Sequence, residues 1–154
     1  MKTTAPAGAE PRHALLLEQQ LCFSLYSSVH AMNRVYRGLL RRLGLTYPQY
    51  LVMLVLWEQD GQSVSALGQR LFLDSATLTP LLKRLQASGV VERLRSVADE
   101  RQVIVSLTRS GRALRRAAET LPEAVLRATG CAPEELKGLK ARLEQLRGRL
   151  LAAA

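Results

Sequence analysis

Cysteine and histidine are scarce in this chain, and long apolar runs are missing. Among 154 residues there are two cysteines, Cys22 and Cys131, 109 positions apart, and two histidines, His13 and His30. So wide a spacing makes neither a disulfide framework nor a zinc site, because metal sites gather their ligands at short intervals. No metal and no cofactor is expected. The longest strongly apolar run, Tyr50 to Trp57, is eight residues, far below the roughly 18 that span a bilayer. At the N-terminus, Lys2 is followed by threonine, alanine, proline and glycine, and the apolar stretch Ala14 to Leu17 ends at Glu18. That is too short and too soon interrupted for a signal peptide. A cytoplasmic protein without membrane association is expected. Acidic residues are also in deficit, 13 against 22 Lys plus Arg, for a formal net charge of +9. Such an excess of cation suits a polyanionic partner, nucleic acid first.

The length and the 47% hydrophobic content are those of one domain with a sizeable core. Residues 1–12, interrupted by Pro6 and Pro11, have the composition of a flexible tail. From Ala14 to Leu43 apolar residues recur at every third or fourth position, which predicts one long amphipathic helix or two joined end to end, stopped at Gly44. Gln49 to Gln59 reads as a strongly apolar, buried helix with Pro48 suited to its first turn. Ser63 caps a short helix to about Phe72, and Asp74 or Ser75 caps a second to Ala87. Val90 to Leu94 and Gln102 to Leu107 are rich in β-branched residues and flank a polar loop, a two-stranded hairpin. Thr108 caps a helix to about Leu121, Pro122 forces a kink or brief break, and the helix resumes to Thr129. The last helix opens at Pro133, Glu134 and Glu135. Its leucines at 136, 139, 143, 146 and 150 step by 3, 4, 3, 4, a narrow seam that needs a partner helix.

Helix, short turn, helix, then a basic hairpin is the order of a winged helix-turn-helix. The predicted fold is therefore mainly α with a small β-hairpin wing. Ser75, Thr77 and Thr79 place short hydroxyl side chains in the first turns of the candidate recognition helix. Lys83 and Arg84 follow for the phosphate backbone. Between Lys83 and Arg116 nine basic residues face three acidic ones, +6 of the total +9, and phosphate neutralisation by such a stretch supplies most DNA affinity. In the wing loop, beyond Arg95, Asp99 is placed to hold the guanidinium of Arg101 for a narrow minor groove. Pro80 is locally awkward, since it removes a backbone donor inside a helix.

The blocks Leu43 to Gly61, Leu73 to Arg93 and Ala98 to Arg112 resemble the MarR family of bacterial transcriptional regulators. Leu21-Cys22-Phe23, Tyr36 and Thr46-Tyr47-Pro48-Gln49-Tyr50 resemble its organic hydroperoxide resistance subgroup, OhrR, and Pro80 lies in the Leu-Thr-Pro-Leu-Leu string of that subgroup. The likeness runs from about Leu16 to the C-terminus. It implies a homodimeric winged-helix repressor, not an enzyme, that binds a double-stranded inverted-repeat operator. Residues 13–46 and 108–154 would form the helical dimerisation region, and 47–107 the DNA-binding region of one intertwined domain. Carried over by position, Ser75 and Thr77 would meet bases or nearby phosphates, and Asp99 and Arg101 would be the wing pair. Cys22 would be the peroxide-sensing thiolate, hydrogen-bonded by the phenols of Tyr36 and Tyr47. Cys131 places the chain with the two-cysteine type, in which the oxidised sensor is captured by the second cysteine of the other subunit.

By itself a lone cysteine is more often a small inert hydrophobe, and aromatics at helical spacing usually fill core. Peroxide attack requires the thiolate, which two phenol donors can stabilise without a competing carboxylate. The resulting sulfenic acid condenses with a second thiol to a disulfide. Cys131, at the N-terminal end of the last helix, is placed to resolve it. Cys22 and Tyr36 are 14 residues apart, about 21 Å along one straight helix. Either the helix bends sharply between them or the tyrosine comes from the partner subunit, and the second is preferred. Rival readings are a regulator gated by a noncovalent phenolic ligand or by another oxidant, a thiol peroxidase, and a nonspecific DNA-compacting protein.

Overall fold

The computed structural model describes residues 14–154, so the expected tail, residues 1–12, lies outside the described residues. The chain divides into two compact units, one ending at Val35 and the other Tyr36–Ala154.

In the first unit a 3-10 turn, Leu17–Gln19, precedes α1 (Leu21–Leu40), which continues into the second unit. The periodicity predicts a helix from about Ala14, and the helix instead begins at Leu21. Gln20 is the reason. Its backbone is extended, and its side-chain amide donates to the carbonyls of Ala14 at 2.6 Å and Leu16 at 3.1 Å, so local side-chain bonds replace the helical ladder there. Leu21, Tyr26 and Val29 are all exposed.

In the second unit α1 gives way to a 3-10 turn, Arg41–Leu43, and Gly44 adopts a left-handed conformation (φ +65°) that turns the chain. Helix α2 (Tyr47–Glu58) begins with a reciprocal cap: Thr46 N–H donates to Gln49 Oε1 at 2.9 Å, and Gln49 N–H donates to Thr46 Oγ1 at 3.4 Å. As its composition demands, Tyr50, Val52, Met53, Val55 and Leu56 are buried. Each such side chain contributes about 1.5–3 kcal/mol, which puts α2 at the centre of the core. The order continues β1 (Gln62–Ser63), α3 (Val64–Leu71), α4 (Ser75–Ala87), β2 (Val91–Arg95), β3 (Val103–Leu107), α5 (Arg109–Ala118), α6 (Leu121–Thr129) and α7 (Pro133–Ala153). Leu67, Leu78, Leu82, Leu85, Val91, Val105 and Leu121 close the core around α2.

The sheet is antiparallel and three-stranded, in the order β1-β3-β2, with Val91 opposite Leu107 and Arg95 opposite Val103. This corrects the two-stranded expectation. Strand β1 has two residues, too few to show an alternation, and it exists because β3 is brought alongside Gln62 and Ser63. Pro122 sits in the first turn of α6, where its missing N–H costs nothing, and the break falls just before it, between Ala118 and Leu121. No residue of α7 is buried, and Leu139, Leu143 and Leu150 are 49%, 40% and 58% exposed. The heptad-like seam is thus present, with Leu136 and Leu146 half-buried and the other three leucines exposed.

Candidate functional site

Two groups of residues carry the chemistry anticipated from the sequence: the helix-turn-helix with its wing, and the cysteines and phenols. In the first, Ser63 caps α3 by accepting from Ala66 N–H at 3.0 Å, and Asp74 caps α4 by accepting from Thr77 N–H at 2.7 Å. That backbone N–H holds the Asp74 carboxyl below the ordinary range. The turn between the helices is tight. Phe72 takes a left-handed conformation (φ +56°), and an added Cβ on Gly68 would lie 2.7 Å from the Leu73 carbonyl oxygen. Ser75, Thr77, Lys83 and Arg84 are exposed along α4, and Thr79 is half-buried. Pro80 lies inside α4 on its exposed side, so the helix absorbs it without disturbing Leu78, Leu81 and Leu82, which are buried.

The wing loop is held by its own bonds. Ser96 N–H donates to Gln102 O at 2.8 Å, and Gln102 N–H to Asp99 O at 2.9 Å. Asp99 Oδ1 accepts from both the backbone N–H and Nε of Arg101, at 3.1 and 3.2 Å, while the Arg101 side chain is 92% exposed. Arg95 donates to the Glu100 carbonyl at 3.1 Å. The pairing of Asp99 with Arg101 is thus as the spacing suggested, and the guanidinium projects from a braced loop. Lys83, Arg84 and Arg95 pair with no acidic side chain among the described residues, so their charge is available to phosphates.

Cys22 is a free, exposed thiol in the first turn of α1, in the unit ending at Val35. One turn on is Tyr26, whose ring meets His30 edge-on at 4.3 Å. Positions 22, 26 and 30 share a helix face, and their spacing of four is the sequence signal for this pair. In the other unit the rings of Tyr36 and Tyr47 lie 4.4 Å apart, with Tyr50 at 5.8 Å from Tyr36. Burial, reinforced by the neighbouring phenols, pushes Tyr36 up to about 12, and burial also raises Tyr47. Both therefore stay protonated at neutral pH and can donate to an anion. Helix α1 is a single element from Leu21 to Leu40. Cys131 is a free, half-buried thiol one residue before Ala132, the N-cap of α7, and its Sγ lies 3.6 Å from Thr129 O. No group of three or more metal-ligating side chains is gathered among the described residues, and no described helix is long and apolar enough to cross a membrane.

Two further residues were missed. Asp60 accepts from Leu107 N–H at 2.8 Å and pairs with Arg112 at 3.4 Å, which anchors the wing to the end of α2. Trp57 Nε1 donates to Gly111 O at 2.9 Å. Neither partner is near in sequence, so no local pattern could reveal them.

The chain matches the family described as transcriptional regulator SarA/Rot over residues 34–117. It is 53% identical over 138 residues to the HTH-type transcriptional regulator TtmR of Methylorubrum extorquens, covering 90% of this chain and 71% of that one. It is 46% identical over 130 residues to the organic hydroperoxide resistance transcriptional regulator of Bacillus subtilis, covering 84% and 88%. Among solved structures, reduced AbfR bound to DNA, a protein of Staphylococcus epidermidis, superposes with a TM-score of 0.72 at 40% identity, covering 88% of this chain and 95% of that one. The winged helix, the clustered free cations and this similarity over most of the length agree: the chain belongs to the MarR/SarA-type family of winged-helix transcriptional regulators and is a DNA-binding regulator of the MarR/OhrR type.

Proposed function

We propose that the chain is a homodimeric, cytoplasmic repressor that holds a palindromic operator when reduced and releases it when Cys22 is oxidised by an organic hydroperoxide. The observation that carries this reading is the free, exposed thiol of Cys22 in a chain 46% identical to a regulator named for organic hydroperoxide resistance. The protonated phenols Tyr36 and Tyr47 supply donors for its thiolate across the dimer, since α1 is continuous between Cys22 and Tyr36 of one chain. The thiolate sulfur attacks the distal oxygen of the hydroperoxide, the O–O bond breaks, and the alkoxide leaves as an alcohol after taking a proton. The sulfenic acid then reacts with the thiol of Cys131 of the partner subunit, forming the S–S bond and releasing water. AbfR, solved in a disulfide form as well as on DNA, has been captured in comparable states. A disulfide demands Cα atoms within about 7 Å, so its formation must pull elements together and disturb the roughly 34 Å separation that two recognition helices require. On DNA, Ser75, Thr77 and Thr79 meet bases or adjacent phosphates, Lys83, Arg84 and Arg95 meet phosphates, and Asp99 holds Arg101 toward the minor groove.

The test is non-reducing denaturing electrophoresis before and after stoichiometric cumene hydroperoxide, with Cys22→Ser and Cys131→Ser alongside and operator binding measured on the same samples. A covalent dimer that needs both cysteines and coincides with release is expected. Release by Cys22→Ser would overturn the reading. A second reading, gating by a noncovalent phenol, is favoured by a cavity of about 220 Å3 whose lining includes Tyr50, Leu54, Trp57, Arg115, Ala118 and Pro122. A double cysteine-to-serine variant that still released DNA with a phenol would establish it.

A further inference from the structure

The chain has one tryptophan, Trp57, in the last turn of α2. On one side its ring meets Tyr50 edge-on at 6.3 Å, and Tyr50 lies 5.8 Å from Tyr36 and 6.5 Å from Tyr47. On the other side its indole N–H donates to Gly111 O in the first turns of α5. Four rings therefore form a packed row from the phenol pair to α5.

The far end of that row has no slack. Gly111 is buried, and an added Cβ there would lie 2.0 Å from Val90 O, where the chain leaves α4 and enters β2. One residue later, Arg112 donates to Leu107 O at 2.8 Å, at the end of β3, and pairs with Asp60, which itself accepts from Leu107 N–H. The first turn of α5 is thus seated against Val90, in the link from the recognition helix to β2, and against the end of β3. At the near end Tyr50 is only 4% exposed. Tyr50 packs against Tyr36, Tyr47 and Trp57, and the open space beside it is the cavity of about 220 Å3 that Trp57 also lines, so a phenol that shifts at Tyr36 or Tyr47 displaces Tyr50 within packing shared with Trp57.

We propose that Trp57 is the positioning residue that passes the state of the Tyr36–Tyr47 pair to the wing and recognition helix, through its bond to Gly111. This rests on the redox reading above and names the link within it. Trp57 touches neither DNA nor thiol in this scheme. Its role is to make the orientation of α5 depend on the phenols.

The experiment uses full-length protein and a Trp57→Phe variant, which keeps an aromatic ring and deletes the N–H donor. Operator affinity is measured before and after cumene hydroperoxide, and thiol oxidation is followed separately on non-reducing gels. In the wild type, oxidation is expected to lower affinity roughly tenfold or more, within the usual range of coupling between sites. Trp57→Phe is expected to bind as the reduced wild type does, to oxidise equally, and to lose most of that change. A variant that oxidises and releases like the wild type overturns the proposal. A wild type that stays on DNA with its thiol oxidised overturns the redox reading and the link together, and so separates the two failures. As a measurement that does not depend on the variant folding, emission from the single tryptophan of the wild type should shift on oxidation, and an unchanged spectrum overturns the link.

Discussion

A single carboxylate orients an exposed cation of the wing, Arg101. Asp99 takes two bonds from Arg101 and stabilises the fold little, because the pair is at the surface and screened. Asp99→Ala should therefore weaken operator binding by about 1–3 kcal/mol in fluorescence anisotropy while changing unfolding free energy by less than about 0.5 kcal/mol in a denaturant melt. The phenols make a different prediction. Tyr36 is raised to about 12 from an ordinary value of 10.0, so the folded state keeps its proton where the unfolded chain loses it. Its contribution to stability is complete below pH 10 and is lost as pH rises through about 12. Melts across that window should show the loss, and Tyr36→Phe should blunt it. At this scale the sequence was informative where partners are local, as with Asp99 and Arg101 or Asp74 and Thr77. It was silent on Trp57 and Gly111, 54 positions apart, because only folding makes them neighbours.

Among the elements, glycines divide into those that packing demands and those it ignores. At Gly111 a Cβ would meet the backbone of Val90 at 2.0 Å, and backbone cannot step aside. Gly111→Ala should cost about 3 kcal/mol or more in a denaturant melt and unseat the wing from α5. At Gly138 in α7 nothing lies within 4 Å. Gly138→Ala should stabilise by up to about 1 kcal/mol through helix propensity, and equal effects at the two sites would contradict the packing described. Helices α3 and α4 were legible from their caps, and α2 from an unbroken apolar run with Pro48 in its first turn, all signals that sit within each segment. The delayed start of α1 was not, since Gln20 overrides the periodicity with side-chain bonds to Ala14 and Leu16. Strand β1 was not either, because two residues have no period.

For the whole molecule, the exposed seam of α7 matters most. A helix of 21 residues with no buried side chain has little of the tertiary packing that supplies most helical stability, and on the dimeric reading proposed above a second copy would cover the exposed Leu139 and Leu143. Replacing both with glutamate should yield a monomer by light scattering and abolish operator binding, whereas a folded monomer that still binds the palindrome tightly would refute the dimeric reading. The sequence by itself determined the helical class, the winged order of elements, the basic stretch from Lys83 to Arg116 and the two cysteines, because each is written in local spacing, caps and charge. Tertiary structure alone decided that the phenols pack together and hold their protons to higher pH than free phenols, that a third strand completes the sheet, and that α5 is clamped between Trp57 and the wing. Burial and contacts between distant segments are properties of the folded chain, and no window of sequence contains them.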